Sequence, residues 1–192
     1  MLLLGLRPGE VCGLSWEDVD FNLDRLHVRH ARLDEPGGVR IGKTKTRRSL
    51  RSLEMPDRVR RALHDHRRRQ AEEHLRLDSA WADTGLVFTT TIGTPIDHWA
   101  MQRDFAKVTI KAGIGDWQPR ELRHSTVSLL SAAGVPLELV ADVTGHSTTR
   151  LTGEVYRHSV RPAVETARLT MDRLFASNTD QDAATDGSTT PA

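Results

Sequence analysis

The stretch Pro119–Gly145 reads PRELRHSTVSLLSAAGVPLELVADVTG and contains the most apolar helix that the sequence predicts. Apolar residues recur at helical spacing over Arg120–Ala133, and Gly134 ends that pattern. A second helix is predicted over Leu137–Thr144, and it ends at Gly145. Two consecutive helices, each stopped by a glycine, indicate a domain built largely from packed helices.

Three short strands are predicted on the N-terminal side of these helices. Apolar and charged residues alternate over Arg25–Leu33, and Asp34–Gly38 (DEPGG) is a strong turn signal. Val39–Lys43 and Arg48–Met55 supply two more extended segments. We therefore expect an antiparallel three-stranded meander at one edge of an α+β domain.

Further helical segments flank the strands. They are the end of a helix at Met1–Leu14, a helix from Pro56 to about Leu75, one from Asp97 to Ala112, one at Gly153–His158, and one at Val160–Phe175. Residues 177–192 have no apolar periodicity and are predicted to be disordered. The sequence thus predicts one domain over residues 1–176 followed by a tail.

Composition excludes several classes of protein. The single cysteine, Cys12, has no internal disulfide partner, which argues against a disulfide-stapled secreted scaffold. No run approaches 18 apolar residues, so no membrane-spanning helix is predicted, and a cytoplasmic protein is the expectation. The histidines lack acidic or cysteine companions at ligand spacing, so neither a metal nor a cofactor is predicted.

Basic side chains are concentrated in one region. Residues 40–69 contain twelve Lys and Arg against three acidic side chains, although the whole chain has a net charge of only +1. Such a cluster is typical of phosphate binding, although the Arg60–Arg69 part taken alone is better interpreted as a solvated helix face. Because 23 of the 27 basic residues are Arg, each of the four Lys is more noticeable than any single Arg.

One motif is misleading. Residues Gly37–Thr44 (GGVRIGKT) fit the P-loop pattern at every position. A P-loop requires a buried strand before the glycines and a helix directly after the lysine. Here a charged turn precedes the motif and Thr46–Arg51 has no amphipathic helical pattern, so nucleotide binding is rejected. Lys43 is placed instead at the end of a β-hairpin, on a mobile tip.

Three residues are ambiguous when each is considered alone. Tyr156 is the only tyrosine and is a candidate nucleophile, or else a half-buried residue with a satisfied hydroxyl. Arg123 shares a helix face with Arg120, which would allow the pair to grip one phosphate or to form rim salt bridges. Arg7 is either a phosphate ligand or the partner of Glu10 in a helix-end ion pair.

Taken in order along the chain, several segments resemble the catalytic domain of the tyrosine recombinase (phage-type integrase) family. They are LGLRPGE at 4–10, LSWEDVD at 14–20, GKTKTRR at 42–48, ELRH at 121–124, VTGHS at 143–147 and VYRH at 155–158. The resemblance spans nearly the whole ordered chain, and it matches five catalytic positions to Arg7, Lys43, Arg123, His146 and Tyr156.

The resemblance implies a site-specific recombinase or integrase of a phage or other mobile element, acting on double-stranded DNA. Tyr156 would attack the scissile phosphate and form a 3′-phosphotyrosine link, while Arg7 and Arg123 bind the non-bridging oxygens. Lys43 would protonate the leaving oxygen, and His146 would bond the phosphate or position Tyr156. Self-association on DNA is expected through the C-terminal helix Val160–Phe175.

The sequence departs from the family pattern in two ways. Arg120 stands where the family usually has His; it cannot shuttle protons but would add a phosphate contact. The family's N-terminal DNA-binding domain and the start of the catalytic domain are not matched, which favours a truncated chain that binds weakly and recombines poorly. Two alternatives follow: an inactive DNA-binding remnant of an integrase, and a type IB topoisomerase.

Overall fold

The computed structural model describes residues 1–36, 38–44, 49–145 and 160–175, with the side chains of the last helix described from Ala167 onward. The helices are α1 (Pro8–Cys12), α2 (Asp57–Leu77), α3 (His98–Lys111), α4 (Pro119–Ala132), α5 (Leu137–Thr144) and α6 (Val160–Phe175). The strands are β1 (Val19–Asp20), β2 (Arg25–Val28), β3 (His30–Glu35), β4 (Gly38–Lys43) and β5 (Arg51–Glu54). The expected mostly helical α+β class is confirmed.

The strands form two small antiparallel sheets. One has the order β1-β2-β5, with Leu26 opposite both Val19 and Leu53. The other is the β3–β4 hairpin, whose six paired positions run from His30 opposite Lys43 to Glu35 opposite Gly38. The three-stranded sheet presents its apolar side chains to the helices, and the hairpin is a separate two-stranded arm.

The predicted strand pairing is wrong. The meander required β5 to pair with the Val39–Lys43 strand, whereas β5 pairs with β2, and the predicted strand Arg25–Leu33 is divided at Arg29. Leu26 and Val28 face the core, but beyond Arg29 the strand lies against α1 instead. Alternation of apolar residues shows which face of a strand is buried and does not identify its partner.

The N-terminal segment also differs from its prediction. Instead of the end of a long helix, residues 2–5 form turns and α1 is only five residues long. Gly5 has φ +59°, and a Cβ there would lie 2.8 Å from the Thr144 side chain. Pro8 then starts α1 because its ring suits the first helical position.

The core lies between the three-stranded sheet and helices α4, α5 and α6. Its buried apolar side chains include Leu26, Val28, Leu53, Met55, Leu63, Leu130, Val140, Val143, Ala167 and Met171. Each large side chain of this kind stabilises the fold by about 1.5–3 kcal/mol. The Asp172 carboxylate of α6 also accepts a hydrogen bond from the Asp57 backbone N–H at 3.0 Å, so α6 caps α2.

The structure also bears on the membrane expectation. Among the described helices, none is both long and apolar enough to cross a membrane.

Candidate active site

Arg7 begins α1 and links two distant parts of the chain. Its backbone N–H donates to Glu10 Oε2 at 2.9 Å, the capping-box contact expected of a glutamate at the third helical position. Its Nη1 donates to Glu10 Oε1 at 2.8 Å, and its Nη2 donates to the Gly145 carbonyl at 2.7 Å. The helix-end ion pair therefore exists, and it leaves the Arg7 side chain 39% exposed.

Glu10 is shared between two arginines. Arg51 donates from Nη1 to Oε1 at 3.0 Å and from Nη2 to Oε2 at 2.8 Å, a bidentate contact. The Glu10 and Arg51 side chains are 3% and 7% exposed. Burial raises the pKa of the Glu10 carboxyl, but the hydrogen bonds and charge of Arg51, reinforced by Arg7, outweigh it and lower the pKa below its usual value.

The C-terminal end of α5 is held by the same arginines. Arg51 Nε donates to the Val143 carbonyl at 2.8 Å, beside the bond from Arg7 to Gly145. The last carbonyls of a helix lack partners within it and carry partial negative charge, so guanidinium groups bind there favourably. Gly145 is the last described residue of this part of the chain, and His146 follows it in the sequence.

Arg123 lies in the first turns of α4 and is 6% exposed. Its Nη1 donates to the carbonyl of Gly5, two residues before Arg7. Its Nη2 is also buried and has no hydrogen-bond partner among the described residues. A buried N–H that makes no hydrogen bond loses its hydration without compensation, which is unfavourable by about 1–3 kcal/mol and more for a charged group.

Positive charge accumulates around Arg123. Burial and the charge of Arg7, with a smaller effect from Arg51, lower the pKa of Arg123 to about 10, and Glu10 opposes them. Arg123 therefore remains protonated at neutral pH, close enough to Arg7 for their charges to interact. Two guanidinium groups with an unused donor favour an anion with several oxygens as ligand.

Lys43 is the last residue of β4 and is exposed. Cross-strand partners share a face of a hairpin, so Lys43, opposite His30, lies on the same face as Arg32. Arg32 is buried against α1 and α3, with Nη1 3.6 Å from Cys12 Sγ and Nη2 3.2 Å from His98 Nδ1. Lys43 is thus on the same hairpin face as Arg32, in a strand and not in the loop that a P-loop requires. The expected position at the hairpin tip is wrong, because Lys43 pairs with His30 at the end away from the turn.

The other expected site residues have different outcomes. Arg120 lies on α4 but is exposed, so it does not share the buried position of Arg123. His146 and Tyr156 lie outside the described residues. No group of three or more potential metal ligands comes together in the described ranges.

Sequence reasoning missed the role of Arg51. From the sequence alone, Arg51 is one member of the basic cluster, and Glu10 is a partner only of Arg7. A signal was present, because Arg51 and Leu53 are two residues apart in a strand and so point to the same face, and Leu53 is a core position. A charged residue on the buried face of a strand calls for a buried partner of opposite charge.

Comparison with known proteins identifies the family of the chain. The sequence model of the phage integrase family matches residues 1–161. An integrase from Streptomyces ambofaciens is 39% identical over 184 residues, which is 91% of this chain and 46% of that protein. A XerC-like tyrosine recombinase from Caldanaerobacter subterraneus subsp. tengcongensis is 34% identical over 184 residues, 89% of this chain and 47% of that protein.

Solved structures show the same fold. The Tn1549 transposon integrase, in complex with transposon right end DNA, has a TM-score of 0.66 at 24% identity. The match covers 90% of this chain and 56% of the integrase chain. The XerA recombinase has a TM-score of 0.57 at 22% identity, covering 88% and 48%. The chain spans about half the length of the curated relatives it matches. With the family match extending over most of its length, the chain belongs to the phage integrase family.

Proposed function

We propose that the chain is the catalytic domain of a site-specific DNA recombinase or integrase. The observation that carries this proposal is the buried Nη2 of Arg123, which has no hydrogen-bond partner among the described residues and lies in the same site as Arg7. A phosphodiester has two non-bridging oxygens and one negative charge, which matches two guanidinium donors. The names of the curated relatives, an integrase and a tyrosine recombinase, support the same reaction class.

The proposed reaction is a transesterification. The Tyr156 hydroxyl releases its proton to water as its oxygen attacks the phosphorus, the bond from phosphorus to O5′ breaks, and a 3′-phosphotyrosine remains. Arg7 and Arg123 stabilise the charge that develops on the non-bridging oxygens. Lys43 donates a proton to O5′, and His146 either donates a hydrogen bond to the phosphate or positions Tyr156. Arg120, exposed at the start of α4, would contribute a further contact with the DNA backbone.

We also propose that copies of the chain associate on DNA through α6. In the structure α6 packs on its own chain, with Met171 1% exposed and Arg168 3.5 Å from Glu54. Leu169 and Leu174 are 39% and 43% exposed and would supply the contact between copies. Sedimentation of the chain with and without a DNA duplex tests this, and a Leu169→Ser, Leu174→Ser variant is expected to bind DNA only as a monomer.

A covalent-trapping experiment tests the reaction without knowledge of the target site. The chain is incubated with a pool of nicked duplexes of randomised sequence, whose short 3′ fragment diffuses away after cleavage. Protein–DNA adducts are isolated on a denaturing gel and the trapped DNA is sequenced. We expect an adduct with the wild-type chain and none with Tyr156→Phe.

The possible results separate the alternatives. DNA binding without any adduct would instead support an inactive DNA-binding remnant. An adduct combined with relaxation of a supercoiled plasmid of unrelated sequence would support a topoisomerase. An adduct that persists in Tyr156→Phe would contradict the assignment of the nucleophile.

A further inference from the structure

We propose that Arg51 is a positioning residue of the active site, which fixes Arg7 and the end of α5 without binding the phosphate itself. The inference rests on the proposed function, because it concerns the site that would hold the DNA phosphate. No segment of the resemblance assigns a role to Arg51. In the structure its side chain bonds both Glu10 and the Val143 carbonyl at the end of α5.

Arg51 already uses most of its hydrogen-bond donors within the protein. A guanidinium has five N–H groups. Arg51 donates from Nε to Val143, from Nη1 to Glu10 and, at 3.2 Å, to the Ser49 carbonyl, and from Nη2 to Glu10. With its side chain 7% exposed, it has little capacity left for a phosphate oxygen.

Arg51 also changes the balance of charge between Glu10 and Arg7. Arg51 takes both oxygens of the Glu10 carboxylate, so Arg7 shares only part of that negative charge. If Arg51 were neutral, Glu10 and Arg7 would form an isolated ion pair and largely cancel one another. Arg51 thus keeps Arg7 electrostatically available to a phosphate. Its charge also adds to the positive potential that lowers the pKa of Arg123.

Arg51 also connects segments that are distant in sequence. Arg51 joins the start of β5 to α1 through Glu10 and to the end of α5 through Val143. Arg51 follows Lys43, the last residue of β4, by eight positions in the sequence, and His146 follows Thr144, the last residue of α5, by two. One buried side chain therefore anchors segments that lead to three proposed catalytic residues. Loss of Arg51 should displace Arg7 and the α5 end together.

The decisive experiment compares two substrates of the sequence recovered by covalent trapping. One carries the normal scissile phosphodiester, and the other a methylphosphonate, which lacks one charged oxygen and so needs less charge neutralisation. Arg51→Met should lower the cleavage rate of the phosphodiester about 100-fold and that of the methylphosphonate less than about tenfold. Arg7→Gln, a direct phosphate ligand in the proposal, should show the same pattern.

Controls separate positioning from folding. Arg25→Met removes an arginine on the adjacent strand β2, whose contact is with Glu54 at 3.8 Å, and it should cleave both substrates at the wild-type rate. Arg51→Lys keeps the charge without the bidentate contact and should be intermediate on the phosphodiester. Equal losses on the two substrates by both Arg51 variants, or wild-type rates with Arg51→Met, would overturn the inference.

A binding measurement keeps the inference testable if the chain forms no adduct, the result that would refute the proposed function. The Nε–Hε NMR signal of Arg7 is followed while inorganic phosphate is added. Wild type should bind, and Arg51→Met and Arg51→Lys should bind at least several-fold more weakly, with Arg25→Met unchanged. Equal phosphate affinity in all four proteins would refute the role of Arg51 independently of any cleavage.

Discussion

The arginine cluster (Arg7, Glu10, Arg51 and Arg123) and the β3–β4 hairpin are organised in opposite ways. The cluster joins three segments that are far apart in sequence, α1, β5 and α4, and three of its side chains are 7% exposed or less. The hairpin joins two neighbouring strands, and its end residue Lys43 is exposed. Side-chain contacts between distant segments hold the first region, and backbone pairing holds the second.

This difference suits two chemical tasks that the proposed reaction requires. Stabilising charge on a phosphate requires donors fixed before the substrate arrives, because reorganising them during the reaction would raise the barrier. Protonating a leaving oxygen requires one donor that can reach the substrate. The buried cluster suits the first task and the exposed hairpin lysine suits the second. Each of the following predictions alters one region and reads out the effect on its task.

The largest effect is expected from Arg123→Lys. Lysine keeps the positive charge but lacks the planar fork that would bond Gly5 and the phosphate together. Loss of one such donor lowers the rate by about 10²- to 10³-fold. Single-turnover formation of the covalent adduct measures it.

Arg120→Lys is the matched control on the same helix, and it should reduce that rate less than about tenfold because Arg120 is exposed. If the two variants lost activity equally, Arg120 and Arg123 would both bind the phosphate. If Arg123→Lys stayed within tenfold of wild type, the cluster would not be the phosphate site.

Much of the helical part of the fold could be predicted from local patterns. The bounds of α5 and α6 agree with those predicted, and Asp97 caps α3 by accepting a hydrogen bond from the Ala100 N–H at 2.7 Å. Caps, glycine stops and helical periodicity depend on neighbouring residues, so the helices that they predict form at those positions in the folded chain. Strand pairing is a long-range property, which explains why β5 was assigned the wrong partner.

The site shows the same limit. The motifs that contain Arg7 and Arg123 predict both as site residues, and the structure places both near the C-terminal end of α5. Arg51 lies in no such motif, and its importance depends on Glu10 and Val143, which are distant in sequence. Its contacts arise from the pairing of β5 with β2 and the packing of α5, which the alternation pattern does not encode.

The next effect concerns the hairpin. Lys43→Met should lower cleavage of a normal substrate by about 10²-fold or more, because an alkoxide is a poor leaving group without general-acid assistance. A substrate with sulfur in place of O5′ should be cleaved at nearly the wild-type rate, because a thiolate needs no proton. The rate ratio of the two substrates measures the effect. A comparable loss on the sulfur substrate would show that Lys43 is not the acid.

A smaller effect is expected on the stability of the cluster. Glu10→Gln leaves Arg7 and Arg51 without their buried counter-ion and should lower the free energy of unfolding by about 3–5 kcal/mol at pH 7. Urea unfolding measures it. Glu54→Gln is the control; its partners Arg25 and Arg168 are only partly buried, and about 1 kcal/mol or less is expected.

The same pair of proteins has a pH signature. The pKa of folded Glu10 lies below its unfolded value of about 4.3, so its stabilising contribution is complete above that pH and is lost as pH falls through the folded pKa. The difference in unfolding free energy between wild type and Glu10→Gln should therefore shrink between pH 5 and pH 2. A constant difference would show that Glu10 is not the titrating group.

The smallest effect is expected at the far end of the hairpin, where Arg40 Nη2 lies 2.7 Å from Glu35 Oε1. This pair is exposed, so Arg40→Gln should leave the unfolding midpoint unchanged. If the hairpin contacts DNA phosphates, the variant should lower the slope of log K against log salt by roughly 0.9, the value for one lost phosphate contact. Glu35→Gln frees Arg40 from its carboxylate and should change DNA affinity in the opposite direction. Equal salt slopes for both variants and wild type would mean that this end of the hairpin does not contact the DNA. Lys43 would then be the hairpin residue that acts on the DNA.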